Sequence, residues 1–106
     1  MKQKKTRKSS RKKYLPSRKT LSTLLVKLES CHNALDAHKN FNLAEVLIGE
    51  YYQDIPQELI DKRITKSILD ALKERNRELL FAAVEAEIER LRTEKVKLLW
   101  KRITQS

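Results

Sequence analysis

The sequence predicts an all-α protein: a small bundle of three or four helices with a long C-terminal helix and a disordered basic N-terminal arm. Three observations carry that expectation. The 106 residues include one glycine and two prolines, too few for tight hairpins or phosphate-cradling loops. Leu, Ala, Lys and Glu, all strong helix formers, abound. From Leu21 onward, apolar residues recur every three or four positions, which is the repeat of one helix face. A chain of this length holds one small domain with a thin core, and self-association would help it.

The arm comes first. Net charge is +10, from 24 Lys and Arg against 14 Asp and Glu. Ten of those cations (Lys2, Lys4, Lys5, Arg7, Lys8, Arg11, Lys12, Lys13, Arg18 and Lys19) fall in residues 1–19, which contain no acid. Residues 20–106 are therefore neutral as a whole. Mutual repulsion, with Met1, Tyr14 and Leu15 as the only sizeable apolar groups in the arm, leaves nothing to offset the entropy of ordering it. A polyanion is its natural partner, because each Lys or Arg placed on a phosphate releases condensed counterion. The arginines suit a minor groove or an unpaired base, and Tyr14 suits stacking.

The helical domain is expected over residues 20–106. Pro16 marks a turn, and Ser17 or Thr20 is placed to cap a helix over about residues 18–38, whose seam is Leu21, Leu24, Leu28, Cys31 and Leu35, widened by Leu25 and Ala34. Asn42, with Glu45 three residues later, reads as the cap of a second helix over about 43–52, carrying Leu43, Val46, Leu47 and Tyr51. Gly49 marks either the end of that helix or a close backbone contact. Pro56 suits the first position of a new helix.

Residues 56–103 read as one long or kinked helix. Ile60, Ile64, Ile68 and Leu72 precede an interruption at Arg75-Asn76-Arg77, where Asn76 is placed to cap a separate helix. Leu80, Val84, Ile88, Leu91 and Leu98 follow as a second stripe. That stripe is either the seam of a homodimer, which would bring two arms to one polyanion, or the core of a monomeric bundle.

Few residues suggest chemistry. Lys97, Trp100, Lys101 and Arg102 form a possible second nucleic-acid patch, with a tryptophan capping the core as its rival reading. Residues 43–64 fit a helix-turn-helix poorly, since Glu45 stands where a small residue is usual and the linker with Asp54 and Pro56 is long. Adjacent Cys31 and His32 diverge on a helix, and His38 is two turns from Cys31, so no metal site or cofactor is expected. Glu85, Glu87 and Glu89 alternate and read as a solvated face. Without a Gly-rich loop, a nucleophile-base pair or paired carboxylates, no enzyme is expected.

No apolar run is long enough to span a membrane. The lone cysteine favours a reducing compartment, so an intracellular place is expected: cytoplasm or nucleoid, or nucleus in a eukaryote. These features together lead to a small non-enzymatic nucleic-acid-binding protein, DNA slightly favoured over RNA, with the arm on phosphates and the helices supplying oligomerisation and placement. The rival is an adaptor or assembly factor that binds a protein through its C-terminal helix and uses the arm for localisation.

Overall fold

Each of the four helices among the described residues begins on a short polar side chain that caps its own third amide. The computed structural model describes residues 16–105, with side chains as far as Lys101. It contains α1 (Arg18–Asp36), α2 (Phe41–Asp54), a single 3₁₀ turn (Gln57–Leu59), α3 (Lys62–Glu74) and α4 (Arg77–Gln105), with no strand among the described residues. Ser17 Oγ accepts from the Thr20 amide at 3.0 Å, and Asn40 Oδ1 accepts from Leu43 at 3.0 Å. Asp61 Oδ1 accepts from Ile64 at 2.9 Å, and Asn76 Oδ1 accepts from Leu79 at 3.1 Å. Each bond satisfies one of the amides that a helix start leaves without a partner.

The predicted all-α architecture with a long last helix is present, and several details differ from expectation. The cap of α2 is Asn40, not Asn42. The helix consequently starts at Phe41 and runs to Asp54 rather than over 43–52. Gly49 neither ends it nor meets another backbone: it lies within α2, where an added Cβ would find nothing within 4 Å. Pro56 precedes the 3₁₀ turn and the next helix starts only at Lys62. Arg18 and Lys19, assigned to the arm, form the first turn of α1. The expected nucleic-acid contacts Lys4, Lys5, Arg7, Lys8, Arg11, Lys12, Lys13 and Tyr14 lie outside the described residues.

Residues 56–103 are two helices, divided at Arg75–Asn76. Arg75 takes a left-handed conformation with φ 51° and donates its amide to Ala71 and Leu72. The Asn76 amide bonds to Ala71 O at 3.0 Å. These bonds satisfy the last carbonyls of α3 while Asn76 opens α4. The Arg75 guanidinium packs 4.7 Å from the centre of the Phe41 ring and donates to Asn42 Oδ1 at 2.9 Å. The α3–α4 corner is thereby fastened to the start of α2.

Packing places α1 against both α2 and α4, and α3 against α4. The seam of α1 is buried throughout: Leu21, Leu24, Leu25, Leu28, Cys31, Ala34 and Leu35. Cys31 is a core residue whose thiol donates to the Ala44 carbonyl at 3.4 Å. The second stripe, Leu80, Val84, Ile88, Leu91 and Leu98, is also buried within the single chain. It therefore forms monomer core, and the dimer seam expected there is not available to a second copy. Each fully buried leucine contributes about 1.5–3 kcal/mol. The molecule measures 47 × 36 × 19 Å, and its thin dimension is roughly two helix diameters of about 10 Å.

Glycine and its replacements are distributed against their conformational preferences. The one glycine lies inside a helix, while both left-handed corners carry long side chains, Lys39 at φ 49° and Arg75 at φ 51°. Gly49→Ala is expected to stabilise the fold by about 1 kcal/mol. Lys39→Gly should add roughly as much by relieving the left-handed corner. Urea midpoints measure both changes, and a lower midpoint for Gly49→Ala would show that α2 needs its glycine.

Candidate nucleic-acid interface

Three separate parts of the sequence converge on one groove. Pro16, buried immediately before α1, shares a groove of roughly 500 Å³ with Leu59, Ile60 and Asp61 around the 3₁₀ turn, and with Lys97, Leu98, Trp100 and Lys101 of α4. The point from which the arm departs and the C-terminal patch thus form one surface, although some eighty residues separate them in sequence. Arg18 and Lys19 are exposed on the first turn of α1, just past Pro16. The side chain of Arg102 lies outside the described residues.

Trp100 is 63% exposed, so it does not cap the core, and Leu98 covers the interior at that level instead. The spacing explains this: Leu91 and Leu98 are two turns apart and face inward, whereas Trp100 is rotated about 200° from Leu98. Three carboxylates that the sequence reading gave no site role, Glu58, Asp61 and Glu94, also line the groove, as does Arg90. Asp61 is held below the usual carboxylate pKa, first by its hydrogen bond from the Ile64 amide and further by the charge of Arg90.

Behind the groove lies a buried charge. Glu87, expected on a solvated face with Glu85 and Glu89, is 1% exposed. Its carboxylate accepts from the Tyr51 hydroxyl of α2 and from Arg90 Nε and Nη2 at 3.0 and 2.8 Å. Burial opposes the charge on Arg90, yet the hydrogen bonds and charge of Glu87 hold its pKa above the ordinary guanidinium value. Burial also raises the pKa of Tyr51, reinforced by the Glu87 charge beside it, so Tyr51 stays a neutral donor. The next residue, Tyr52, accepts from Thr65 Oγ1 of α3 at 3.0 Å, and burial pushes its hydroxyl up to about 12. Two consecutive tyrosines thus fasten the end of α2 to α4 and to α3. The i,i+3 spacing of Glu87 and Arg90 was visible in the sequence, but the residue facing them from another helix was not.

The remaining expected sites are placed as follows. His32 stacks on Phe81 with ring centres 4.4 Å apart, and its Nε2 lies 3.3 Å from Glu85. Among the described residues no group of three or more His, Cys, Asp or Glu is arranged to hold a metal. Burial pushes the Cys31 thiol up to about 12, which leaves it without nucleophilic thiolate. Helices α2 and α3 are separated by residues 55–61, longer than the three- or four-residue turn of a helix-turn-helix. Among the described residues no helix is long and apolar enough to cross a membrane. Comparison with protein-family models, curated proteins and solved structures finds no match.

Tyr51→Phe removes a donor from a buried carboxylate and should cost about 1–3 kcal/mol, read as a lower urea midpoint with unchanged slope. Tyr52→Phe should cost less, and equal losses would refute the special role of the Glu87 contact. The depressed pKa of Asp61 contributes stability above the ordinary value of 3.8 that is lost as pH falls through the folded value. Asp61→Asn keeps a capping side chain, so below about pH 4 its stability should fall less steeply with acid than that of the unaltered protein. Parallel curves would show that Asp61 carries none of the acid sensitivity.

Proposed function

We propose that this protein is a small non-enzymatic nucleic-acid-binding protein in which the basic arm supplies affinity and the helical body supplies placement. The observation that carries this reading is the root of the arm at Pro16, in the same groove as Lys97, Trp100 and Lys101. The entire charge excess, ten cations without an acid in residues 1–19, therefore enters the fold beside a further cationic and aromatic surface. A backbone bound by the arm is delivered to that surface at high effective concentration. A cell interior, where nucleic acid is accessible, is the compartment this reading requires.

The rival reading, a protein adaptor, and the homodimer that belongs to the first reading both draw support from a different face. Val26, Val96 and Leu99 are exposed at 62, 63 and 40% and line one groove between α1 and α4 with Arg92 and Lys95 on its rim. A second copy or a protein partner would find its apolar footing there rather than on the buried stripe.

The test compares the full chain with one beginning at Pro16, which keeps the Ser17 cap and lacks eight cations of the arm. On duplex DNA, six to eight phosphate contacts give a salt slope of about −5 to −7, and the shortened chain should lose most of that slope and most of its affinity. An unchanged slope would remove the arm from the interface. Failure of the full chain to bind duplex DNA, single-stranded DNA or structured RNA below about 10 µM near 0.1 M salt would leave the adaptor reading in its place.

A further inference from the structure

We propose that the groove beside Pro16 takes an unpaired nucleobase of a single-stranded nucleic acid, stacked on Trp100 with a neighbouring phosphate on Lys97 and Lys101. The inference rests on the nucleic-acid reading above and deepens it by naming the form of nucleic acid recognised.

Shape and chemistry both support it. The groove holds roughly 500 Å³, within the ~300–1,000 Å³ typical of sites for small planar ligands. Its apolar lining comes from Pro16, Leu59, Ile60 and Leu98, and Trp100, a residue 63% exposed, brings a large aromatic ring. A base stacks on such a ring whatever its sequence. Lys97 and Lys101 are one helical turn apart on α4, about 6 Å along its axis, and both line the groove. They flank Trp100 as phosphate contacts flank a stacked base.

The carboxylates distinguish a single strand from a duplex. Glu58, Asp61 and Glu94 line the same groove, and carboxylates accept from the amino groups of base edges. In a duplex the bases stay stacked on one another, so no ring face is open to Trp100, and the outer surface is phosphate, which three carboxylates repel. A single strand can turn its bases inward and leave its phosphates on the lysine rim and the arm.

The experiment uses the full chain and the emission of Trp100, the one tryptophan of the sequence. Dodecamers of single-stranded DNA, single-stranded RNA, duplex DNA and an abasic sugar-phosphate strand are titrated, with anisotropy of the labelled nucleic acid recording binding. Both single strands with bases should change the Trp100 emission, whereas the duplex and the abasic strand should bind through the arm and leave it unaltered. A change with only one sugar would assign the groove to that nucleic acid. Trp100→Ala, with its fold verified by circular dichroism, should weaken single-strand binding about 5- to 150-fold, the range for loss of one stacked base, and leave duplex binding unchanged. Binding of every ligand with unaltered emission would overturn the groove assignment while leaving the arm reading intact. An equal response to the duplex would overturn the single-strand preference, and no anisotropy change with any ligand would overturn both readings.

Discussion

A buried carboxylate is the constraint around which the rest of the bundle is arranged. Glu87 is 1% exposed, and an ionised carboxylate removed from water is tolerated only when it is paired and hydrogen-bonded. Arg90 supplies the charge through two hydrogen bonds, and Tyr51 supplies the further donor from α2. No buried side-chain nitrogen or oxygen among the described residues lacks a partner. Such a network favours one arrangement, because any shift of α2 along α4 takes the Tyr51 hydroxyl away from the buried carboxylate. Once Tyr51 is fixed, its neighbour Tyr52 faces α3 and meets Thr65. A single pair of residues thereby sets the positions of three helices.

The same network shapes the surface. Arg90 is held by Glu87 behind the groove and lines that groove on its other side. The wall carrying Lys97 and Trp100 is therefore continuous with the hydrogen-bonded network of Glu87, Arg90 and Tyr51. Preorganisation of this kind lowers the entropy lost when a ligand is held. On the proposed reading the arm would work on the opposite principle, since cations placed on phosphates gain affinity from counterion release. Joining the two at Pro16 would, on that reading, divide the work between affinity that falls with salt and a contact that depends on shape.

Much of the fold was legible in the sequence because its signals are local. The α1 seam, the helical reading of residues 56–103 and the role of Asn76 follow from periodicity and capping chemistry, which act within one or two turns. The errors arose where two segments distant in sequence meet. Whether Leu80, Val84, Ile88, Leu91 and Leu98 face another molecule or α1 and α3 is not encoded in their spacing. Glu87 read as solvated because Glu85 and Glu89 beside it are exposed, and only Tyr51, 36 residues away, distinguishes it. Gly49 misled for a different reason: a glycine usually marks a conformational need, whereas here it occupies an ordinary helical position. For the candidate interface, the sequence identified the cations and Trp100 but not their convergence with Pro16, nor the three carboxylates that change what the groove accepts.

Burying the second stripe within one chain also separates folding from association. A small domain with a thin core commonly needs a partner to complete it, and an exposed stripe on α4 would have made a dimer obligatory. Here α4 is covered by α1 on one side and α3 on another; the large apolar residues it leaves exposed are Leu79, Val96, Leu99 and Trp100, and Val26 of α1 joins Val96 and Leu99 in one apolar face. Association through that face would depend on protomer concentration, not on the need to hide a core. A nucleic acid that gathers several copies along its backbone raises that concentration, so binding and assembly would reinforce one another only when the polyanion is present. On the nucleic-acid reading proposed above, a self-sufficient core joined to a cationic arm would let the protein fold alone and assemble on its ligand.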